Sequence, residues 1–107
     1  MKKVAIHQFS PTANYGDGVT NGMLYMQKIL QNAGFESHIY AERFDERLEG
    51  KILSYKKIDK ENPNQLLFVH YSIFYDFSVW MDTLNIPKHM IYHNITPAEF
   101  FKDNPHL

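Results

Sequence analysis

The stretch YGDGVTNGM, residues 15–23, holds Gly16, Gly18 and Gly22 behind the apolar run VAIHQF. Glycines after a strand let the backbone approach a phosphate, and the first N–H groups of the following helix present a positive dipole end to an anion. Three chemistries compete for the loop. A nucleoside-triphosphate loop needs G-x-x-x-x-G-K-[ST], but Gly16 is followed by Asn21 and Gly22 with no lysine, which excludes it. A dinucleotide fingerprint is closer: the glycines read G-x-G-x-x-x-G, and Glu42, 20 residues after Gly22, is placed to bind a ribose hydroxyl. Against it, the six residues Ser10 to Tyr15 separate the strand from the first glycine, whereas the fingerprint turns straight off the strand. The third reading suits a longer loop. Gly16 and Gly18 fold it over a cleft, the N–H groups near Val19 and Thr20 face an anion, and Asp17 caps the helix or bonds a sugar hydroxyl. A flexible loop with a glycine-assisted turn is the plain alternative.

Three strand-like runs, VAIHQF, LFVHYS and IYHNIT, each carry a histidine where the strand should run out. His7, His70 and His93 are therefore expected near the carboxyl edge of one sheet, where open α/β folds bind ligands. The plain alternative is that a strand leaving the core meets water, where a half-polar residue is ordinary. Three imidazoles can hold zinc, but no carboxylate partner is evident, and His89 and His93 on one strand stand roughly 13 Å apart. No metal site is expected. Asn94-Ile95-Thr96 matches a glycosylation acceptor, a match read as accidental because Thr96 is used as a helix cap.

The elements that must position these groups follow from periodicity. Residues 3–9 read as a buried strand. Val19, Met23, Met26, Leu30 and Ala33 recur at helical spacing, and Gly34 supplies the left-handed residue that stops the helix. SHIYA (37–41) is a second strand, so strand, glycine loop, helix and strand make one βαβ unit with a parallel sheet. Half of residues 45–64 are charged, and that segment is expected to be an exposed connector, with KILSYKKI an edge strand or a frayed helix. LLFVHYSI (66–73) is a third strand, a helix over about 76–85 precedes Pro87, and HMIYHNI (89–95) is a fourth. Thr96, Pro97 and Glu99 then form a helix start. The fold expected is α/β, a Rossmann-like three-layer open parallel sheet of about four strands in a single domain over residues 1–107, incomplete as it stands.

Composition narrows the partners. The 107 residues carry a net charge of −1 and no lysine or arginine stripe, which argues against nucleic acid. With no cysteine, disulfides and thiol chemistry are excluded. No apolar run approaches the roughly 20 residues of a membrane span, and MKKVAIHQF is too short and too polar for a signal segment, so a cytoplasmic address is expected. Aromatics make up 15% of the chain, and Phe74, Tyr75, Phe77 and Trp80 are candidates for docking a partner, though their helical spacing also suits a core.

HQFSP followed by YGDGVTNGMLYMQKILQNAGFESHIYAE resembles the opening of the family-4 glycosyltransferases, retaining enzymes of the GT-B fold, and IYHNITPAEFF resembles their strand-to-helix passage at the sugar cleft. The resemblance implies a two-domain enzyme moving a sugar from a nucleotide-sugar donor to an acceptor hydroxyl, with this chain as the N-terminal, acceptor-side lobe. It implies that Gly16 and Gly18, with Asp17 between them, form the cleft loop, that His93 and Asn94 contact the transferred sugar, and that His70 lies on the cleft wall. No residue is assigned a catalytic step. In the family the nucleotide is gripped by the C-terminal domain through two glutamates eight positions apart, and no pair here has that spacing. The lobe is therefore expected to be inactive alone, completed by the missing domain or by self-association through exposed aromatics. Without the second lobe water enters the cleft and an oxocarbenium-like transition state loses its electrostatic support. No cofactor beyond the nucleotide-sugar substrate is expected. A dinucleotide-binding oxidoreductase domain and a non-catalytic interaction module are the alternatives.

Overall fold

A computed structural model describes residues 4–71 and 84–92. They form an α/β unit whose open sheet has five parallel strands: β1 (Ala5–Ala13), β2 (Ile39–Phe44), β3 (Leu53–Ser54), β4 (Gln65–Tyr71) and β5 (Lys88–Tyr92). One helix, α1 (Gly18–Asn32), crosses from β1 to β2. The spatial order β3-β2-β1-β4-β5 places the first strand at the centre and reverses direction beside it, the order of a Rossmann-like sheet.

Strand β1 is longer than the expected 3–9, because SPTA continues the ladder with β2 through Thr12 opposite Arg43 and Ala13 opposite Phe44. A proline inside a central strand would ordinarily cost a ladder bond. Here the N–H groups of Ile6 and Gln8 point to carbonyls on the β2 side, so alternation turns the Pro11 nitrogen toward β4. Pairing of β1 with β4 ends at Phe9 opposite Val69, so Pro11 lies beyond the last paired residue of that ladder. The separation between the strand and the first glycine thereby shrinks from the six residues expected to two, Asn14 and Tyr15, within a loop to α1 that spans 14–17.

Helix α1 ends as its sequence predicts. The Gly34 N–H donates to Gln31 O at 3.0 Å and the Phe35 N–H to Leu30 O at 3.0 Å, with Gly34 at φ +99°. That pair of bonds is a Schellman stop and requires the left-handed residue. Only Thr20 and Met23 of α1 are fully buried, while Tyr25 and Ile29 are exposed and Ala33 stands at the exposed cap. The apolar stripe is thus narrower than the spacing suggests.

The charged middle departs most from expectation. It contributes a fifth strand, the two-residue β3, and short 3-10 turns at Glu46–Leu48 and Tyr55–Lys57. KILSYKKI is therefore an edge strand followed by a turn. Nor is it a solvated connector throughout: Leu48 and Ile52 pack with Met23, Ile39 and Ala41 on the α1 side, and Ile58 packs with Phe9, Tyr40, Leu67, Val69, Leu84 and Ile86 in a second core. Interspersed charges hide these apolar anchors because each stands alone, Leu48 at the end of a 3-10 turn, Ile52 in an isolated bridge and Ile58 just after the second turn. Of the helix expected over 76–85, Leu84 and Asn85 are non-helical and the rest lies outside the described residues, as does the helix start at Thr96.

Candidate functional site

The glycine loop leaves the carboxyl end of the central strand. Gly16 has φ +81°, a conformation that L side chains rarely adopt, so this position requires glycine. Asp17 is the N-cap of α1 with extended backbone, and its carbonyl accepts the Asn21 N–H at 2.9 Å. Its carboxylate makes no cap bond to the helix backbone and accepts only a long contact, 3.5 Å, from the Thr20 hydroxyl. That hydroxyl in turn accepts the Asn14 N–H at 3.1 Å, closing the loop on the first turn. Gly18 is the first helical residue, exposed. A side chain at Gly18 or Gly22 would meet open space, so neither glycine is demanded by packing.

Beside the loop an open cleft of about 410 Å³ is lined by Thr12 and Asn14 from the end of β1 and by Arg43, Phe44 and Asp45 from the end of β2. Its rim is fastened by charge. Arg47 donates to both carboxylate oxygens of Asp45, from Nη2 at 2.8 Å and Nε at 3.3 Å, and its backbone N–H adds a third bond at 3.0 Å. The guanidinium also lies 4.4 Å from the centroid of the Tyr15 ring. The Arg47 side-chain and backbone donors, with a smaller contribution from the Tyr15 backbone, hold the Asp45 carboxyl down to about 2. Asp45 thus joins the β1 and β2 loops.

His70 occupies a different environment. It is buried beneath α1, its Nε2 2.8 Å from Gln8 Oε1, and Gln8 Nε2 donates to Met23 O at 2.8 Å. Since the Gln8 amide nitrogen is the donor to Met23, its oxygen must accept, which puts the His70 proton on Nε2. The residue ties β4, β1 and α1 together.

The expectation that His7 sits at the carboxyl edge is corrected. Extension of β1 to Ala13 leaves His7 third of nine residues, toward the amino end. His7 Nδ1 accepts the His38 N–H at 2.9 Å, its ring stacks on His38 with centroids 5.2 Å apart, and Nε2 lies 3.8 Å from Glu36. Burial, and next the His38 imidazole, lower its pKa, against the pull of Glu36 and Asp59. Burial likewise pushes the neighbouring Tyr40 phenol up to about 12.

The structure therefore places Gly16, Asp17 and Gly18 in the loop that follows Asn14, a lining residue, without putting them in the cleft lining itself, and places His70 within the sheet–helix layer. His93 and Asn94 lie outside the described residues. Thr12, Asn14, Arg43, Phe44 and Asp45 were not among the sequence-derived candidates. Their signal was RFDER: the only two arginines of the chain, Arg43 and Arg47, flank an aspartate at the end of the second strand. Among the described residues no group of three or more histidine or acidic side chains is placed to hold a metal ion, and no helix is long and apolar enough to cross a membrane. Comparison of the chain with protein-family models, with curated proteins and with solved structures found no match.

Proposed function

We propose that this chain is the acceptor-side lobe of a GT-B glycosyltransferase, transferring a sugar from a nucleotide-sugar donor to an acceptor hydroxyl and incomplete without a donor-binding partner domain. The supporting observation is the juxtaposition at one rim: a left-handed Gly16 in the β1–α1 loop beside a cleft at the carboxyl ends of two parallel strands. In this reading Gly16, Asp17 and Gly18 border the sugar, the α1 N-terminus faces donor phosphate, and His93, Asn94 and His70 complete the wall. His70 acts through Gln8 unless the layer opens, since its ring is buried. The proposal carries a cytoplasmic address, with the exposed rings of Tyr15 and Tyr25 available to the partner domain or a second copy.

The test is a titration of the isotope-labelled chain with UDP-glucose and GDP-mannose, each with and without a methyl glycoside acceptor. Amide shifts at 16–18 and 93–94 are expected. Silence at both places, repeated with the chain joined to a donor-binding lobe, removes the reading.

A dinucleotide-binding domain gains one observation: only Asn14 and Tyr15 separate the strand from the first glycine, fewer than the sequence suggests. Two others oppose it. Glu42 is not among the residues lining the cleft, and Gly22 faces open space rather than the strand that a fingerprint's last glycine packs against. NADH and NADPH in the same titration separate the readings, since only a dinucleotide fold responds to them in preference to a nucleotide-sugar.

A further inference from the structure

The cleft between the ends of β1 and β2 has an unbalanced charge. Asp45 is the acidic side chain in its lining, and every hydrogen bond its carboxylate receives from a side chain comes from Arg47. Arg47 is thereby neutralised. Arg43, the other cation at this rim, is exposed and pairs with no carboxylate among the described residues. Asp45 cannot turn to serve it without releasing three bonds to Arg47. A planar guanidinium with five donors, held at the end of a strand and left without a counter-charge, matches the oxygen pair of a carboxylate or phosphate.

The rest of the lining fits a larger molecule around that group. The Asn14 backbone is already committed, its N–H to Thr20 Oγ1 and its carbonyl to the Asp17 N–H, which leaves the carboxamide for a ligand. Phe44 supplies an apolar wall. A volume of about 410 Å³ exceeds what a bare oxyanion fills and lies in the range of small-molecule sites, about 300–1,000 Å³.

We infer that this cleft binds an oxyanion, carboxylate or phosphate, carried by the hydroxylated acceptor, with Arg43 as its counter-charge and Asn14 as a neutral donor. The acceptor assignment rests on the transferase reading, while the oxyanion site stands on the cleft itself. The β2 end thus selects acidic acceptors, and the adjoining glycine loop holds the hydroxyl end of the same molecule.

The experiment titrates the labelled chain with inorganic phosphate and, separately, acetate, against chloride at matched ionic strength. The Arg43 Nε–H signal and the amides of residues 12–14 and 43–45 are followed. Saturable shifts are expected, weakened at least tenfold in Arg43→Gln and partly restored in Arg43→Lys. A response to phosphate alone identifies a phosphorylated acceptor, and one to acetate alone a carboxylated one. Shifts that do not saturate, or that persist unchanged in Arg43→Gln, overturn the site. Saturable Arg43-dependent binding with silence of the 16–18 amides toward nucleotide-sugars overturns the transferase reading and leaves the oxyanion site. The reverse pattern overturns the site alone.

Discussion

His70 Nε2 and Gln8 Oε1 lie 2.8 Å apart inside the layer between the sheet and α1, and Gln8 links the imidazole to the helix backbone at Met23. A fully buried carboxamide with both ends engaged is expensive to lose, because its former partners stay dry. Gln8→Ala is expected to cost about 2–3 kcal/mol of unfolding free energy, read from urea midpoints at constant slope. A double-mutant cycle with His70→Phe should return a coupling of about 1 kcal/mol. No coupling would mean the two side chains are held independently.

His7 gives a pH dependence whose sign is fixed by the direction of its shift. Its folded-state pKa is lowered from 6.5, so below that value the unfolded chain takes up the proton more readily than the folded one. Protonation also removes the Nδ1 lone pair that accepts the His38 N–H. Stability from this group is complete above pH about 6.5 and is lost as pH falls through the folded value. Urea midpoints at pH 8, 7, 6 and 5.5 should decline over the lower half of that series, and His7→Gln should flatten the decline. A midpoint that rises on acidification contradicts the burial of this imidazole.

The glycines of the loop should separate by sign. At Gly16 the backbone is left-handed, and Gly16→Ala is expected to destabilise by about 1–2 kcal/mol. At Gly22, inside α1 with open space around it, Gly22→Ala should stabilise by about 0.5–1 kcal/mol. Thermal melts of the two variants decide it, and equal signs would place Gly16 in an ordinary conformation.

Asp45 should report its clamp directly. Carbon-detected titration of its carboxyl is expected to give a midpoint of about 2, and Arg47→Gln should return it toward the usual carboxylate range. An unchanged midpoint in the variant would locate the lowering elsewhere than in the Arg47 donors.

The order of elements was legible because long apolar runs carry it. KVAIHQF, LLFVHYSI and the α1 stripe gave the parallel class, and Gly34 gave the helix stop to the residue. The extent of β1 was not legible, since Pro11 and Thr12 argue locally for a loop and only the ladder with Thr12 opposite Arg43 overrides them. The misplacement of His7 followed from that one error. Leu48, Ile52 and Ile58 were hidden among charges because isolated apolar anchors in short turns and bridges carry no period. Arg43 and Asp45 were passed over for the same reason: a charge at a strand end looks solvated until its pairing is known.

The fastening of the β1–α1 link has a consequence for how that part of the molecule can move. The Asn14 N–H is held by Thr20 Oγ1 at 3.1 Å and the Asn14 carbonyl by the Asp17 N–H at 3.1 Å, so the four residues 14–17 are tied to the first turn of the helix. A link so short and so tied travels with α1 as one body, and a guest arriving there meets a preset surface rather than a flap.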